Sequence, residues 1–176
     1  MSIATRYHPR YTVADYEQWE GDWELWAGYP VAMTPSSSFD QQQVLFNLAF
    51  ALKTSLSKSS ECDCKVVVEV DWRIAEDTVV RPDVMVVCKP ITTKWVEITP
   101  ALIAEVLSPS TQKNDQTFKR SLYAEQGVNY YFIVDPGSQK IEALKLNDGE
   151  YQPTDLSDVT LDKTCRISID TESIWS

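Results

Sequence analysis

Two acidic residues stand inside runs that are otherwise apolar and rich in β-branched side chains: Asp83 in "TVVRPDVMVV" and Glu105 in "ALIAEVL". Burying an unpaired carboxylate costs several kcal/mol, so each must meet a cation, take up a proton or stay in contact with water. Hard oxygen donors suit Mg²⁺ or Mn²⁺, which keep several waters and take one or two carboxylates. A pair of carboxylates on neighbouring strands is therefore a candidate metal site. Two plainer readings compete with it: salt bridges to Arg81 or Arg73, or strand ends open to solvent.

The rest of the chain offers little other reactive chemistry. His8 is the one histidine, near the N-terminus, and reads as a surface residue, so Ser-His-Asp and Cys-His catalysis and histidine metal sites lack their central group. No GxSxG, GxxxxGK[ST] or GxGxxG is present, and five glycines leave little for a phosphate-cradling loop. Cys62 and Cys64 form a CxC pair, but Cys88 and Cys165 are isolated, so a structural zinc site is a weak reading. Without secretory context the four cysteines are expected to be thiols. Trp19, Trp23 and Trp26 could stack on bases, although a hairpin packed on the core explains them as well.

At 176 residues, with 43% hydrophobic content, the chain is expected to form one domain over residues 1–176. No apolar run long enough for a membrane span and no signal-peptide core are apparent, so a cytoplasmic protein is expected, without a membrane partner. A formal net charge of −10 opposes any broad electrostatic grip on DNA.

The elements that must position the carboxylates follow from periodicity. "TVADYEQW" predicts a short helix capped by Thr12, and "DWELWAGYPVAM" a hairpin turning at Gly28 with Glu24 on its first strand. Val44, Leu45, Leu48, Ala49, Leu52 and Leu56 recur at helical spacing. "KVVVEVDWRI", "TVVRPDVMVV" and "ALIAEVL" read as neighbouring central strands, the first two joined by a turn at "AED". "NDQTFKRSLYAEQG" predicts a helix with an Asn114 cap, Phe118 and Leu122 inward and a Gly127 stop, followed by the strand "VNYYFIVDPG" and a hairpin turning at 147–149. The fold class is α/β or mixed α+β, a mixed central sheet with helices on its faces.

Pro82-Asp83 followed by Glu105 on a later strand resembles the core of the PD-(D/E)XK nuclease superfamily. More closely, "WELWAGYPVAM", "RPDVMVV", "AEVLSPST" and "D…FKRSLYAEQGVNYYFIVDP" resemble the Uma-type family of restriction endonucleases, from about Tyr11 to Pro136. The resemblance implies a restriction-endonuclease-like fold and a Mg²⁺- or Mn²⁺-dependent endonuclease acting on DNA. Asp83 and Glu105, with the Val106 carbonyl, then fall on metal-ligand positions, and Glu24 on that of an auxiliary acid.

The superfamily pattern places a lysine two residues after the glutamate, where this chain has Leu107. In this type of family the lysine has moved to the following helix, which makes Lys119 the candidate for orienting water or offsetting charge at phosphorus. Its plainer reading is an Asp115–Lys119 pair on a solvated face. The acidic charge and the shifted lysine leave open a catalytically inactive, nuclease-fold binding or regulatory protein. A homodimer, with strand edges of the C-terminal hairpin pairing across a two-fold axis, is compatible with either.

Overall fold

The computed structural model describes residues 9–33, 38–60, 62–108 and 114–176, the last without the side chains of 114–116. His8, the Asn114 cap and the Asp115 carboxylate thus lie outside the described residues. Helix α1 (Val13–Tyr16) opens with a capping box: the Thr12 side chain accepts from the Asp15 N–H, and Asp15 accepts from the Thr12 N–H. A second capping box, Ser38 with Gln41, starts the long helix α2 (Phe39–Ser57). Helix α3 (Asn114–Glu125) ends at Gly127, whose φ of 75° is the left-handed value that a residue with a Cβ rarely adopts.

The main sheet has six strands: β3 (Lys65–Val68), β6 (Val84–Val87), β7 (Leu102–Val106), β8 (Tyr130–Asp135), β9 (Lys140–Asn147) and β10 (Glu150–Pro153), in the order β10-β9-β8-β7-β6-β3. Only β7 and β8 run parallel, because α3 supplies the crossover between them. Side-chain alternation divides the core. Val84, Val86, Leu102 and Ala104 pack with Leu45, Leu48 and Leu52 of α2. Met85, Val87 and Ile103 pack on the opposite face with Leu122 and Tyr123 of α3.

A four-stranded sheet, in the order β2-β1-β5-β4, joins the hairpin β1 (Trp23–Trp26) and β2 (Tyr29–Ala32) to β5 (Thr78–Val80) and β4 (Trp72–Ala75). Ala27 and Gly28, with φ of 48° and 84°, form the tight turn of the hairpin. A two-stranded piece, β11 (Val159–Thr160) with β12 (Arg166–Ile167), and a 3₁₀ turn at Glu172–Ile174 cover α2.

Two expectations are corrected here. "KVVVEVDWRI" is not one strand but β3 and β4, in different sheets, and "TVVRPDVMVV" likewise divides into β5 and β6. The chain breaks at Glu69, where φ is 50° and the N–H donates to the Asp83 carbonyl, and at Pro82, which has no N–H for a ladder. The cysteines are not thiols: Cys62 pairs with Cys165, and Cys64 with Cys88. The β3–β6 register, Lys65 opposite Val87, carried one step further sets Cys64 directly opposite Cys88, with Cα atoms 4.0 Å apart. These cysteines are therefore not ligands for zinc.

Trp19 and Trp23 pack with Tyr11 and Tyr16 around Leu25 and Val79, the core-packing reading of that cluster. Trp26 faces the other way and stacks on Phe118, with ring centroids 4.4 Å apart. No helix among the described residues is long and apolar enough to cross a membrane.

Candidate active site

The register of β6 and β7 decides which carboxylates can meet. Val84 stands opposite Ala104, so the next pair outward along the same antiparallel register is Asp83 and Glu105. Both fall on the α3 face of the sheet, because Asp83 shares the parity of Met85 and Glu105 that of Ile103. Asp83 Oδ2 accepts a 2.6 Å hydrogen bond from the Val106 N–H, which ties its carboxylate to the end of β7.

Helix α3 lays two side chains over Glu105. Lys119 and Tyr123 are four residues apart and so lie on one helical face. The Tyr123 hydroxyl donates to Glu105 Oε1 at 2.6 Å, and Lys119 Nζ stands 3.3 Å from the same oxygen. The ammonium also lies 3.0 Å from Glu24 Oε1, delivered by β1 of the smaller sheet. The side chains of Lys119, Glu24 and Glu105 are 10%, 4% and 13% exposed. Lys119 is therefore not on a solvated helix face.

Glu24 is fixed from three sides. Its Oε1 accepts from the Arg81 N–H at 2.7 Å, its Oε2 from Trp26 Nε1 at 2.9 Å, and Lys119 completes the set. Parity along β1 makes this possible: Leu25 points into the small core with Val79, while Glu24 and Trp26 share the face toward α3.

The arginines proposed as partners for the two strand carboxylates are engaged elsewhere. Arg81 reaches Asp71 at 2.8 Å and Asp22 at 2.7 Å, and the Tyr16 hydroxyl donates to the other oxygen of Asp71. Arg73 stands 2.8 Å from Glu17 and lies over the Trp95 ring. Among the described residues, the cation paired with Glu24 and Glu105 is Lys119.

Among the described residues, Glu24 and Glu105 thus share the Lys119 ammonium in a shielded space, with Asp83 opposite Glu105 in the register. Burial, with the charge of Glu105 second, pushes the Asp83 carboxyl up to about 8, against the Val106 N–H, which favours the ionised form. Burial also raises Glu105, although Lys119 and the Tyr123 hydroxyl act in the opposite sense. For Lys119, burial on its own would favour the neutral amine, but the carboxylates of Glu105 and Glu24 outweigh it and hold the ammonium above the usual lysine value. Such a cluster gains from any added positive charge.

Four residues singled out by sequence, Glu24, Asp83, Glu105 and Lys119, therefore occupy one site. Val106 enters it through its N–H. Leu107 is partly buried against the α3-side core, and its carbonyl accepts from Gln41 Nε2 at 3.0 Å. Tyr123 escaped the sequence reading, although its i+4 spacing from Lys119 was a usable signal. Trp26 was singled out as an aromatic but not as a hydrogen-bond donor to Glu24. A cavity of about 590 Å³ opens beyond Leu107, lined by Gln41, Asp135 and Trp175 among others, and includes none of the four.

The family model described as "Putative restriction endonuclease" and named Uma2 matches residues 13–166, so this chain belongs to that family. A comparison with curated proteins found no match. Among solved structures, the chain is similar to a putative nuclease belonging to DUF820 from Anabaena variabilis, with 13% identity and a TM-score of 0.72 over 94% of this chain and 97% of the other. At that identity the likeness speaks for the fold, a mixed central sheet with flanking helices.

Proposed function

We propose that the protein is an endonuclease that hydrolyses DNA phosphodiester bonds with the help of Mg²⁺ or Mn²⁺, built as one restriction-endonuclease-like domain over residues 1–176 of the PD-(D/E)XK type. The observation that carries this reading is the placement of Lys119 between Glu24 and Glu105, beside the opposed pair Asp83 and Glu105, in a member of a restriction-endonuclease family.

The donor set suits a hard divalent ion. Among the described residues no three His, Cys, Asp or Glu side chains gather as ligands, so the ion would rest on Asp83, Glu105, the Val106 carbonyl and water, the few-carboxylate pattern usual for Mg²⁺. Burial disfavours the ionised form of both carboxyls, with the charge of Glu105 adding to the effect at Asp83, and a cation bound between them would favour that form. When bound, the ion supplies positive charge at the phosphoryl group.

Hydrolysis forms a bond from a water oxygen to phosphorus, breaks the bond to a sugar oxygen, and returns a proton to that leaving oxygen. Excess negative charge builds on the phosphoryl oxygens on the way. Among the described residues, Lys119 is the side chain placed to offset that charge or to hold the attacking water by hydrogen bonding. Glu105 and Glu24 keep its ammonium charged, and Tyr123 and the Val106 N–H fix Glu105 and Asp83.

The test is cleavage of supercoiled and linear DNA with Mg²⁺, Mn²⁺ or EDTA, alongside calorimetric metal titration. Metal binding without cleavage under any condition would favour the inactive, DNA-binding or regulatory reading, which the net charge of −10 supports. Absence of both metal binding and cleavage would remove the enzyme reading.

A further inference from the structure

We propose that the outer face of helix α2 is a self-association surface, on which two copies of this chain pair α2 against α2 in antiparallel fashion. The inner face of the helix, with Leu45, Leu48 and Leu52, is spent on the core. The outer face is abnormal for solvent: Phe39, Phe46 and Phe50 are 79%, 64% and 62% exposed, and Phe46 stacks on Phe50. After Asp40 the helix has no carboxylate, and Lys53 is its sole charge. An exposed helix of a protein with net charge −10 would ordinarily carry several charged residues on this side.

The spacing points to a second copy as occupant. Residues 39, 43, 46, 50, 53 and 57 lie on one stripe at three- and four-residue intervals, symmetric about Leu48, which points the opposite way. A two-fold axis at that level sets Phe46 against Phe50 of the second copy, Gln43 against its Lys53, and Phe39 against its Ser57. The stripe is thus complementary to itself, as an isologous interface requires. Two lysines do not face one another in this pairing, since each Lys53 meets a Gln43, so the stripe itself opposes no like charges.

The area agrees with a weak dimer. With roughly 200 Å² per aromatic side chain, the three rings expose on the order of 400 Å² per copy, at the size where an apolar patch on a monomer is often functional. Two such patches with their polar flanks bury on the order of 1,000 Å², the low end for a specific interface. One lysine per helix is poor provision for a nucleic acid or for an anionic membrane, whose interfacial helices carry many.

Sedimentation equilibrium of the full chain across the micromolar range tests this. The mass is expected to rise with concentration from 20.0 kDa toward twice that value, while Phe46→Glu and Phe50→Glu each hold it at the monomer value with unchanged circular dichroism and melting temperature. Since both rings lie outside the core, loss of folding is not expected to obscure the result, and Phe46→Ser is a milder second variant. With a short bismaleimide linker, a mixture of Gln43→Cys and Lys53→Cys chains is expected to cross-link as a heterodimer and neither alone. A wild-type chain that stays monomeric overturns the proposal. So does a dimer indifferent to both glutamates, which would move the interface elsewhere, or a monomer that binds anionic vesicles through the same phenylalanines.

Discussion

Glu105 accepts its two closest polar contacts on one oxygen: Oε1 takes the Tyr123 hydroxyl at 2.6 Å and faces Lys119 Nζ at 3.3 Å. The hydrogen bond to Tyr123 is short and charge-assisted, and such bonds contribute roughly 1.5–3 kcal/mol. Tyr123→Phe keeps the ring packed against Trp72 and Tyr131 and removes only this donor. Metal affinity measured by calorimetry is expected to fall by about 10- to 100-fold, the range for partners of metal-binding side chains, with the fold retained. An unchanged affinity would mean that Tyr123 does not orient Glu105.

Lys119 has a structural role that an exposed helix pair would lack. Lys119→Ala leaves Glu24 and Glu105 shielded and without their cation, a loss on the order of 3–5 kcal/mol when one member of a buried pair is removed. Cleavage is expected to fall by about 10²- to 10⁴-fold. Removing charge on both sides, as in Lys119→Met with Glu24→Gln, is expected to restore much of the urea midpoint but none of the activity. Equal stability of Lys119→Ala and wild type would contradict the burial described here.

The acidity of Asp83 predicts the pH dependence of the metal-free protein. Its folded value, about 8, lies above the unfolded value near 3.8, so between these limits the native state binds more protons than the unfolded chain. Stability from this group is complete below about pH 4 and is lost as pH rises through about 8, with a slope of at most about 1.4 kcal/mol per pH unit. The melting temperature without metal is therefore expected to fall from pH 5.5 to 8.5, and the stabilisation by Mg²⁺ or Mn²⁺ to grow over the same interval. Asp83→Asn should flatten both trends, and a wild-type profile identical to that of Asp83→Asn would refute the assignment.

The disulfide Cys62–Cys165 joins residues 103 positions apart. In the chain-entropy account such a cross-link disfavours the unfolded state by about 4–5 kcal/mol. Reduction is expected to lower the urea midpoint substantially. Cys62→Ser with Cys165→Ser should reproduce more of that loss than Cys64→Ser with Cys88→Ser, whose loop spans 24 positions.

What could be read from sequence was what local pattern governs. Asp83 and Glu105 stood out because a carboxylate in an apolar run is expensive, and α2 because its leucines follow the helical period. Glu24 and Lys119 required the family resemblance, since nothing local tells a buried lysine from a solvated one. The division of "KVVVEVDWRI" between two sheets was hidden because it depends on Glu69 adopting a positive φ to meet the Asp83 carbonyl. The cysteine pairing was hidden for a related reason: Cys64 meets Cys88 only once the register of β3 and β6 is known, and register is set by long-range packing.

That same register allows the role proposed for Lys119 to be tested from a second position. Leu107 lies two residues beyond Glu105, so the period of a strand directs it to the same face. It is partly buried next to the α3-side core, and its main chain is held by the Val134 carbonyl and by Gln41. The backbone at this position therefore does not depend on the side chain. In the Lys119→Ala background, Leu107→Lys brings an ammonium to the sheet face that carries Asp83 and Glu105, with a stem long enough to cover apolar surface on the way. Recovery is expected on two scales: the urea midpoint rises because the carboxylates regain a cation, and cleavage returns in part, by about 10-fold or more, if the cation acts on the phosphate. Stability without activity would separate charge balance from catalysis and assign Lys119 a position-dependent role. Recovery of neither would show that the ammonium must arrive from α3.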